Sequence, residues 1–275
     1  MMIKKLEFFG CSVTAGNELW EELHIPNYKT MSFDEAKKAM QGLPYDKVRD
    51  HNKANSFPQL IANQLGVPAN NHGIPGISNK EIASRAISYF TQDHYEEGTV
   101  AILQFTTHNR LFLRYKETDN YSTIGSFVVH PKATDDRLTK SQNNLLKEMY
   151  FEFFNETMMA HDDHIFMYYA AEALREKGIA TYIIWPNVDI IDWGHWDDTT
   201  GAVDTDKEVL IKNDIEPQFS KGISNYLARQ HVKYNPLGKT LIDIAGPNSY
   251  LPRYHFSQAA HVSIANALVE KIKNV

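Results

Sequence analysis

Apolar positions along this chain follow two alternating patterns. Short strand-like runs, most of them apolar, fall at about 3–9, 67–71, 99–106, 179–185 and 240–244 and predict strands. Between and after them, apolar residues recur every three to four positions at about 56–66, 79–90, 142–177, 207–230 and 257–273, which predicts helices. Strands alternating with helices predict an α/β chain with a parallel sheet covered on both faces. In such sheets ligands bind beyond the carboxyl ends of the strands. The chain shows no internal repeat and no low-complexity tract, and it reads as one domain over 1–275.

Three segments exceed what this alternation needs: about 17–55, 111–140 and 186–205. The first carries Trp20, Tyr28, Met31, Met40 and Tyr45, the second Tyr115, Tyr121 and Phe127, and the third Trp193, His195 and Trp196. All three leave the edge of the sheet where substrate is expected. Connections this long are usually lids, binding loops or disordered, and their aromatic content speaks against disorder. They are read as a covered pocket with aromatic walls, or as a dimer interface or packed decoration.

Candidate chemistry begins where the first strand ends, at Gly10-Cys11-Ser12-Val13-Thr14-Ala15-Gly16. A serine on the turn leaving a strand is lifted out of the sheet. The amides that follow it face the negative charge that develops when it attacks a carbonyl. The bland alternative is a tight strand-to-helix turn. Near the other end, His255 stands just before a helix opened by Ser257, where an imidazole can reach over the same sheet edge.

The two ends resemble the SGNH/GDSL hydrolase family. Its first block reads G-D-S-x-[ST]-x-G, and Gly10, Ser12, Thr14 and Gly16 match it, with Cys11 in place of Asp. Its last block reads D-x-x-H-P-S-x-x-G-H-x-x-I-A-x-x-L, and His255, Ser257, His261, Ile264, Ala265 and Leu268 match. The second block fits Asn71 to Asn79, which places Gly76 in the oxyanion hole. The third is a buried strand ending in G-x-N-D. Here Val100 to Phe105 is the strand, and His108 or Asn109 stands for the Asn, depending on a one-residue slip.

The resemblance implies a flavodoxin-like three-layer α/β/α sandwich with a mostly parallel sheet of about five strands. It also implies esterase, lipase, deacetylase or acyltransferase chemistry without a cofactor or metal. Ser12 is then the nucleophile and His255 its base, and Ser12, Gly76 and Asn109 or His108 form the oxyanion hole. Arg110, Thr106, Trp193 and Trp20 are candidate substrate contacts.

One departure matters most. The family's triad Asp lies three residues before the His, and that position here is Pro252. His255 is therefore oriented by a backbone carbonyl, or by an acid from elsewhere, with Asp243, Asp189 and Asp192 as candidates. The missing acid also leaves open a non-catalytic binding protein on a hydrolase scaffold. Acyl transfer through the same Ser and His is the alternative activity.

Composition fits this picture. The chain has 275 residues, 43% of them hydrophobic, enough for one sizeable core. A net charge of −6 with no basic block argues against nucleic acid as the partner. No apolar stretch has the length of a membrane span. With the first strand starting at residue 3 there is no room for a signal peptide, so a cytoplasmic protein is expected. The expected partners are a small-molecule or glycan ester and, for an interface reading of the insertions, a second copy of the chain. The lone Cys11 excludes an internal disulfide. His161-Asp162-Asp163-His164 has the composition of a metal site but reads as a solvated helix face.

Overall fold

A computed structural model describes residues 2–92, 95–106, 110–116, 122–128, 138–153, 156–185, 233–234, 237, 240–246, 249–252 and 255–273, with backbone alone for 110–116, 122–128 and 150–161. Its centre is a parallel sheet of β1 (Lys5–Phe9), β2 (Ala69–Asn71), β3 (Thr99–Gln104) and β6 (Ala180–Ile184), in the order β2-β1-β3-β6. β3 is buried at every position, as its unbroken apolar run requires of a central parallel strand. Between these strands run α5 (Phe57–Leu65), α6 (Asn79–Thr91), α7 (Lys140–Phe153) and α8 (Glu156–Glu176), and α10 (Gln258–Ile272) closes the chain. The core interleaves Phe8, Ile102 and Leu103 of the sheet with Phe57, Ile82, Met167, Ile264 and Leu268 of the helices.

This is the expected α/β architecture, with four strands in the described sheet rather than about five. The missing one is the run at 240–244. It forms a short helix, α9 (Leu241–Ala245), because a local capping box decides the matter. The Thr240 hydroxyl accepts from the Asp243 amide (3.3 Å), and Asp243 Oδ2 accepts from the Thr240 amide (2.9 Å) and hydroxyl (2.6 Å). An apolar run of five residues carries no period that separates helix from strand. The stretch read as one helix at 142–177 is given as two, α7 and α8, and the region 207–230 lies outside the described residues.

The insertions carry structure of their own. Residues 17–55 fold as α2 (Leu19–His24), a 3-10 turn (Tyr28–Thr30), α3 (Phe33–Ala39) and α4 (Tyr45–Asn55). Tyr28, Ala36 and Leu251 form a second, small core there, with Ile25 and Met31 against it. Tyr45, by contrast, is exposed. In the second insertion β4 (Arg110–Lys116) pairs antiparallel with β5 (Ser122–Val128). The third, 186–205, lies outside the described residues.

The segment 161–164 corrects another expectation. Asp163 and His164 are buried rather than solvated. Asp163 Oδ2 accepts from Asn79 Nδ2 at 2.8 Å, and the His164 ring packs on Phe105 and Trp185. Among the described residues no group of three or more His, Cys, Asp or Glu is placed to hold a metal ion, and no helix is long and apolar enough to cross a membrane.

β1 also carries a buried carboxylate. Glu7 accepts from Lys5 Nζ (2.7 Å), the Tyr89 hydroxyl (2.9 Å) and Asn70 Nδ2 (3.0 Å), and His72 Nε2 lies 2.7 Å away. Burial alone raises a carboxyl pKa. The hydrogen bonds from His72, Lys5 and Tyr89 outweigh that and hold Glu7 below the usual carboxylate range. A depressed folded value means Glu7 stabilises the fold above the ordinary carboxylate range and loses that contribution as pH falls through the folded value. Glu7→Gln is expected to cost about 1–3 kcal/mol at neutral pH. Its urea midpoint should then fall less than that of wild type as pH drops from neutral to below the ordinary carboxylate range. Parallel falls in urea titrations of the two proteins would show that Glu7 carries no linkage.

Candidate active site

Ser12 is the first residue of a single-turn helix, α1 (Ser12–Ala15), directly after β1. At that position its N–H lies outside the intrahelical pattern and remains a donor. The turn is held from β3. Gln104 Oε1, at the end of that strand, faces the Cys11 amide (3.2 Å), the Cys11 thiol (3.4 Å), the Thr14 amide (3.3 Å) and the Thr14 hydroxyl (2.9 Å). The Gln104 amide nitrogen donates to Phe105 O. Gly10 is glycine because of this closeness: a Cβ there would meet Thr14 Oγ1 at 2.1 Å. Ser12 Oγ itself points at Cys11 Sγ, 3.9 Å away.

The second block is laid beside this turn by continuing the parallel pairing of β1 and β2. The His72 amide donates to Phe8 O (2.8 Å) and the Ile74 amide to Gly10 O (3.0 Å). Asn71 Nδ2 donates to Thr14 O (2.8 Å) and its Oδ1 accepts from Gly73 N (2.9 Å). Gly76 follows at φ +84°, in the left-handed region that glycine enters without strain. The third block leaves β3 under the grip of Asn79, the first residue of α6. Asn79 Oδ1 accepts from Thr106 N (2.7 Å) and its Nδ2 donates to Thr106 O (3.0 Å). Thr106 is buried in that clamp.

His255 sits in a hairpin closed by Leu251 N to His255 O (2.7 Å) and Ser257 N to Ser249 O (2.8 Å). The Tyr250 and Phe256 rings stack across it at 5.0 Å. Ser257 caps α10 by accepting from the Ala260 amide (3.3 Å). The acid that stands against the imidazole is Glu18. Its Oε2 lies 2.6 Å from His255 Nδ1 and accepts from the His255 amide at 3.2 Å, while Oε1 accepts from the Tyr28 hydroxyl. The Glu18 side chain is 0% exposed and that of His255 14%. A nitrogen this close to a carboxylate oxygen carries the proton, so Nε2 is left as the acceptor.

Glu18 reaches this place through unusual backbone. Gly16 has φ +75° and Glu18 itself φ 71°, rare for a residue with a side chain. The Asn17 amide returns to Ser12 O (3.0 Å), so Glu18 directly follows the turn that begins at Ser12. α2 has no side-chain cap of its own, and Asn52 Oδ1 of α4 takes the Trp20 amide instead (2.7 Å). Glu22, one turn further, accepts from the Gln258 amide at the start of α10 (2.6 Å).

The Asp243 carboxylate accepts from Thr240 in the cap of α9, and the carboxylate against His255 is that of Glu18. Asp189, Asp192, His108, Asn109 and Trp193 lie outside the described residues, and of Arg110 only the backbone on β4 is described. Trp20 is half-buried with its ring 4.5 Å from His24. Glu18 carries no motif: in Glu18-Leu19-Trp20-Glu21-Glu22 it reads as one of the acids that commonly open a helix. His261, matched in the last block, is a structural group. Its Nδ1 accepts from Phe57 N at 3.0 Å, and burial, with the field of His255, pushes its pKa down to about 3.

No family model matches the chain, and no curated protein matches it in sequence. In structure it is similar to a member of the lipolytic G-D-S-L family from Veillonella parvula, at 9% identity and TM-score 0.44, over 99% of this chain and 100% of that one. It is also similar to two family 2 carbohydrate esterases. One is from Myceliophthora fergusii, at 10% identity and TM-score 0.46, over 98% of this chain and 66% of that one. The other, from Clostridium thermocellum, is in complex with cellohexaose, at 13% identity and TM-score 0.42, over 99% of this chain and 64% of that one. Within this chain, β1 leads into the serine turn, the second block follows β2, the third leaves β3, and the histidine precedes the last helix. The fold is α/β, built on a parallel sheet covered by helices. What the site does is read from its own residues.

Gln104→Leu keeps the bulk and removes the acceptor of several buried donors on the serine turn. The expected loss is about 2–4 kcal/mol, read as a lower midpoint in urea unfolding. A midpoint equal to wild type would mean the turn holds itself.

Proposed function

We propose that this chain is a serine ester hydrolase in which Ser12 attacks, His255 is the base and Glu18 orients it. The observation that carries the reading is the buried Glu18 carboxylate at 2.6 Å from His255 Nδ1. A serine hydroxyl is a weak nucleophile at neutral pH and needs such a base. With Nδ1–H donated to Glu18, the Nε2 lone pair faces outward to take the Ser12 proton as Oγ closes on the carbonyl carbon. Glu18 then stabilises the imidazolium without itself taking the proton. The amides of Ser12 and Gly76, with a side-chain donor from the third block, stabilise the oxyanion, each donor contributing roughly 3–4 kcal/mol. His255 returns the proton to the leaving alcohol. Water, deprotonated by the same imidazole, splits the acyl-Ser12 ester and releases the acid.

The substrate class is a carboxylic ester of a small molecule or glycan. A non-catalytic scaffold was suggested by the missing acid before His255 and by the altered third block, and the Glu18 carboxylate against His255 speaks against the first of these grounds. Transfer to an alcohol uses the same acyl-enzyme and differs only in the acceptor.

The test uses p-nitrophenyl acetate, butyrate and octanoate. Ser12→Ala and His255→Ala should each lower kcat by about 10,000-fold or more, and Glu18→Gln by about 100- to 10,000-fold. A fluorophosphonate should add once, on Ser12, by intact mass. Unchanged turnover in Ser12→Ala sinks the proposal. Adding glycerol at fixed ester concentration separates hydrolysis from transfer by the fraction of acyl glycerol formed.

A further inference from the structure

Residues 17–40 contribute more than one acid to this centre. The Tyr28 side chain is buried in the small core with Ala36 and Leu251, against Met31 and Ile25. That core joins the first insertion to the hairpin that carries His255, because Leu251 is both a core member and the residue whose amide donates to His255 O. At its top, the Tyr28 hydroxyl donates to Glu18 Oε1, opposite the oxygen that faces His255. Met40 Sδ lies 3.7 Å from the same hydroxyl. A carboxylate has two oxygens and turns about its terminal bond, a broad torsion that only contacts at both oxygens arrest.

We propose that Tyr28 is a positioning residue of the catalytic centre: its hydroxyl fixes one Glu18 oxygen so that the other is held against His255 Nδ1. The proposal rests on the Ser12–His255–Glu18 reading given above. It makes the first insertion part of the catalytic apparatus, since the acid, its anchor and the contact under the histidine hairpin all belong to residues 17–40.

The consequence reaches the imidazole by charge. A donor on Glu18 Oε1 draws negative charge away from Oε2. Removing it concentrates charge where His255 binds, so the imidazolium is held more firmly. Titratable groups acting on this pair include Tyr28 from the 3-10 turn and His261 of α10. The last stays neutral through the working range, its pKa being about 3.

The experiment follows the His255 ring by NMR in full-length protein labelled at histidine nitrogen, in wild type, Tyr28→Phe, Met31→Ala and Glu18→Gln. Tyr28→Phe should raise the His255 titration midpoint by about half a pH unit, the scale of one hydrogen bond to a charged group seen one atom removed. The acid limb of kcat/KM for p-nitrophenyl acetate should move up with it. Glu18→Gln should lower the midpoint and abolish any downfield Nδ1–H signal. Met31→Ala loosens the same small core without touching the hydroxyl, so it should lower Tm and leave the midpoint alone. A Tyr28→Phe midpoint that stays or falls, or a Met31→Ala midpoint that moves equally, overturns the proposal. The NMR midpoint needs no turnover, so its failure is distinct from failure of the hydrolase reading, which is scored by activity of Ser12→Ala.

Discussion

A carboxylate withdrawn from water destabilises a fold unless charged or hydrogen-bonding partners meet it, and those partners then become fixed points. Glu18 is such a group. Its side chain is fully buried, with His255 at one oxygen and Tyr28 at the other. Much of the surrounding structure follows from bringing it there. The backbone takes two left-handed residues, Gly16 and Glu18, within three positions. α2 begins on a cap borrowed from Asn52 of α4. The small core of Tyr28, Ala36 and Leu251 holds the tyrosine at the height of the acid. Removing the Glu18 charge removes the reason for all three.

The same contact ties together the two ends of the chain, which lie 237 residues apart in sequence. It is not alone. Glu22 Oε2 takes the Gln258 amide at the start of α10, and His261 Nδ1 takes the Phe57 amide at the start of α5. Each places an acceptor from one end of the chain against a helix N-terminus of the other, where amides lack intrahelical partners. Glu18 and His255 therefore meet only when both ends are docked. Contacts of such sequence separation form late, since loop closure precedes them. Site geometry is thus coupled to global rather than local stability.

What could be read from sequence follows the same division between local and distant causes. β1, β3 and β6 were legible because a buried parallel strand needs an unbroken apolar run. α5, α6 and α10 were legible because the 3.6-residue period is local, as is the Ser257 cap of α10. The stretch 240–244 failed because its apolar run is too short to show a period, and the decision fell to Thr240 and Asp243. Ser12, Gly76 and His255 became candidates through the resemblance of single blocks to a family pattern. Glu18 was not, because its role depends on a hairpin at the far end of the chain and on a left-handed φ that Glu rarely adopts. Nothing in Glu18-Leu19-Trp20-Glu21-Glu22 distinguishes the first acid from the other two.

Cys11, where the family pattern has Asp, shows how such a departure is accommodated. In this chain the position faces Gln104 Oε1, which already accepts from the Cys11 amide and from the amide and hydroxyl of Thr14. The backbone donors fix which end of the Gln104 amide points there, since only the oxygen can receive them. A thiol is a weak donor and adds one more favourable contact, at 3.4 Å. A carboxylate in its place would set acceptor against acceptor in a buried site and would require the glutamine to turn away from the serine turn. Cys11 and Gln104 are therefore one choice rather than two. The strand end that grips the Ser12 turn makes the small, donating residue at position 11 the compatible one, and the carboxylate against His255 comes from the insertion, at Glu18.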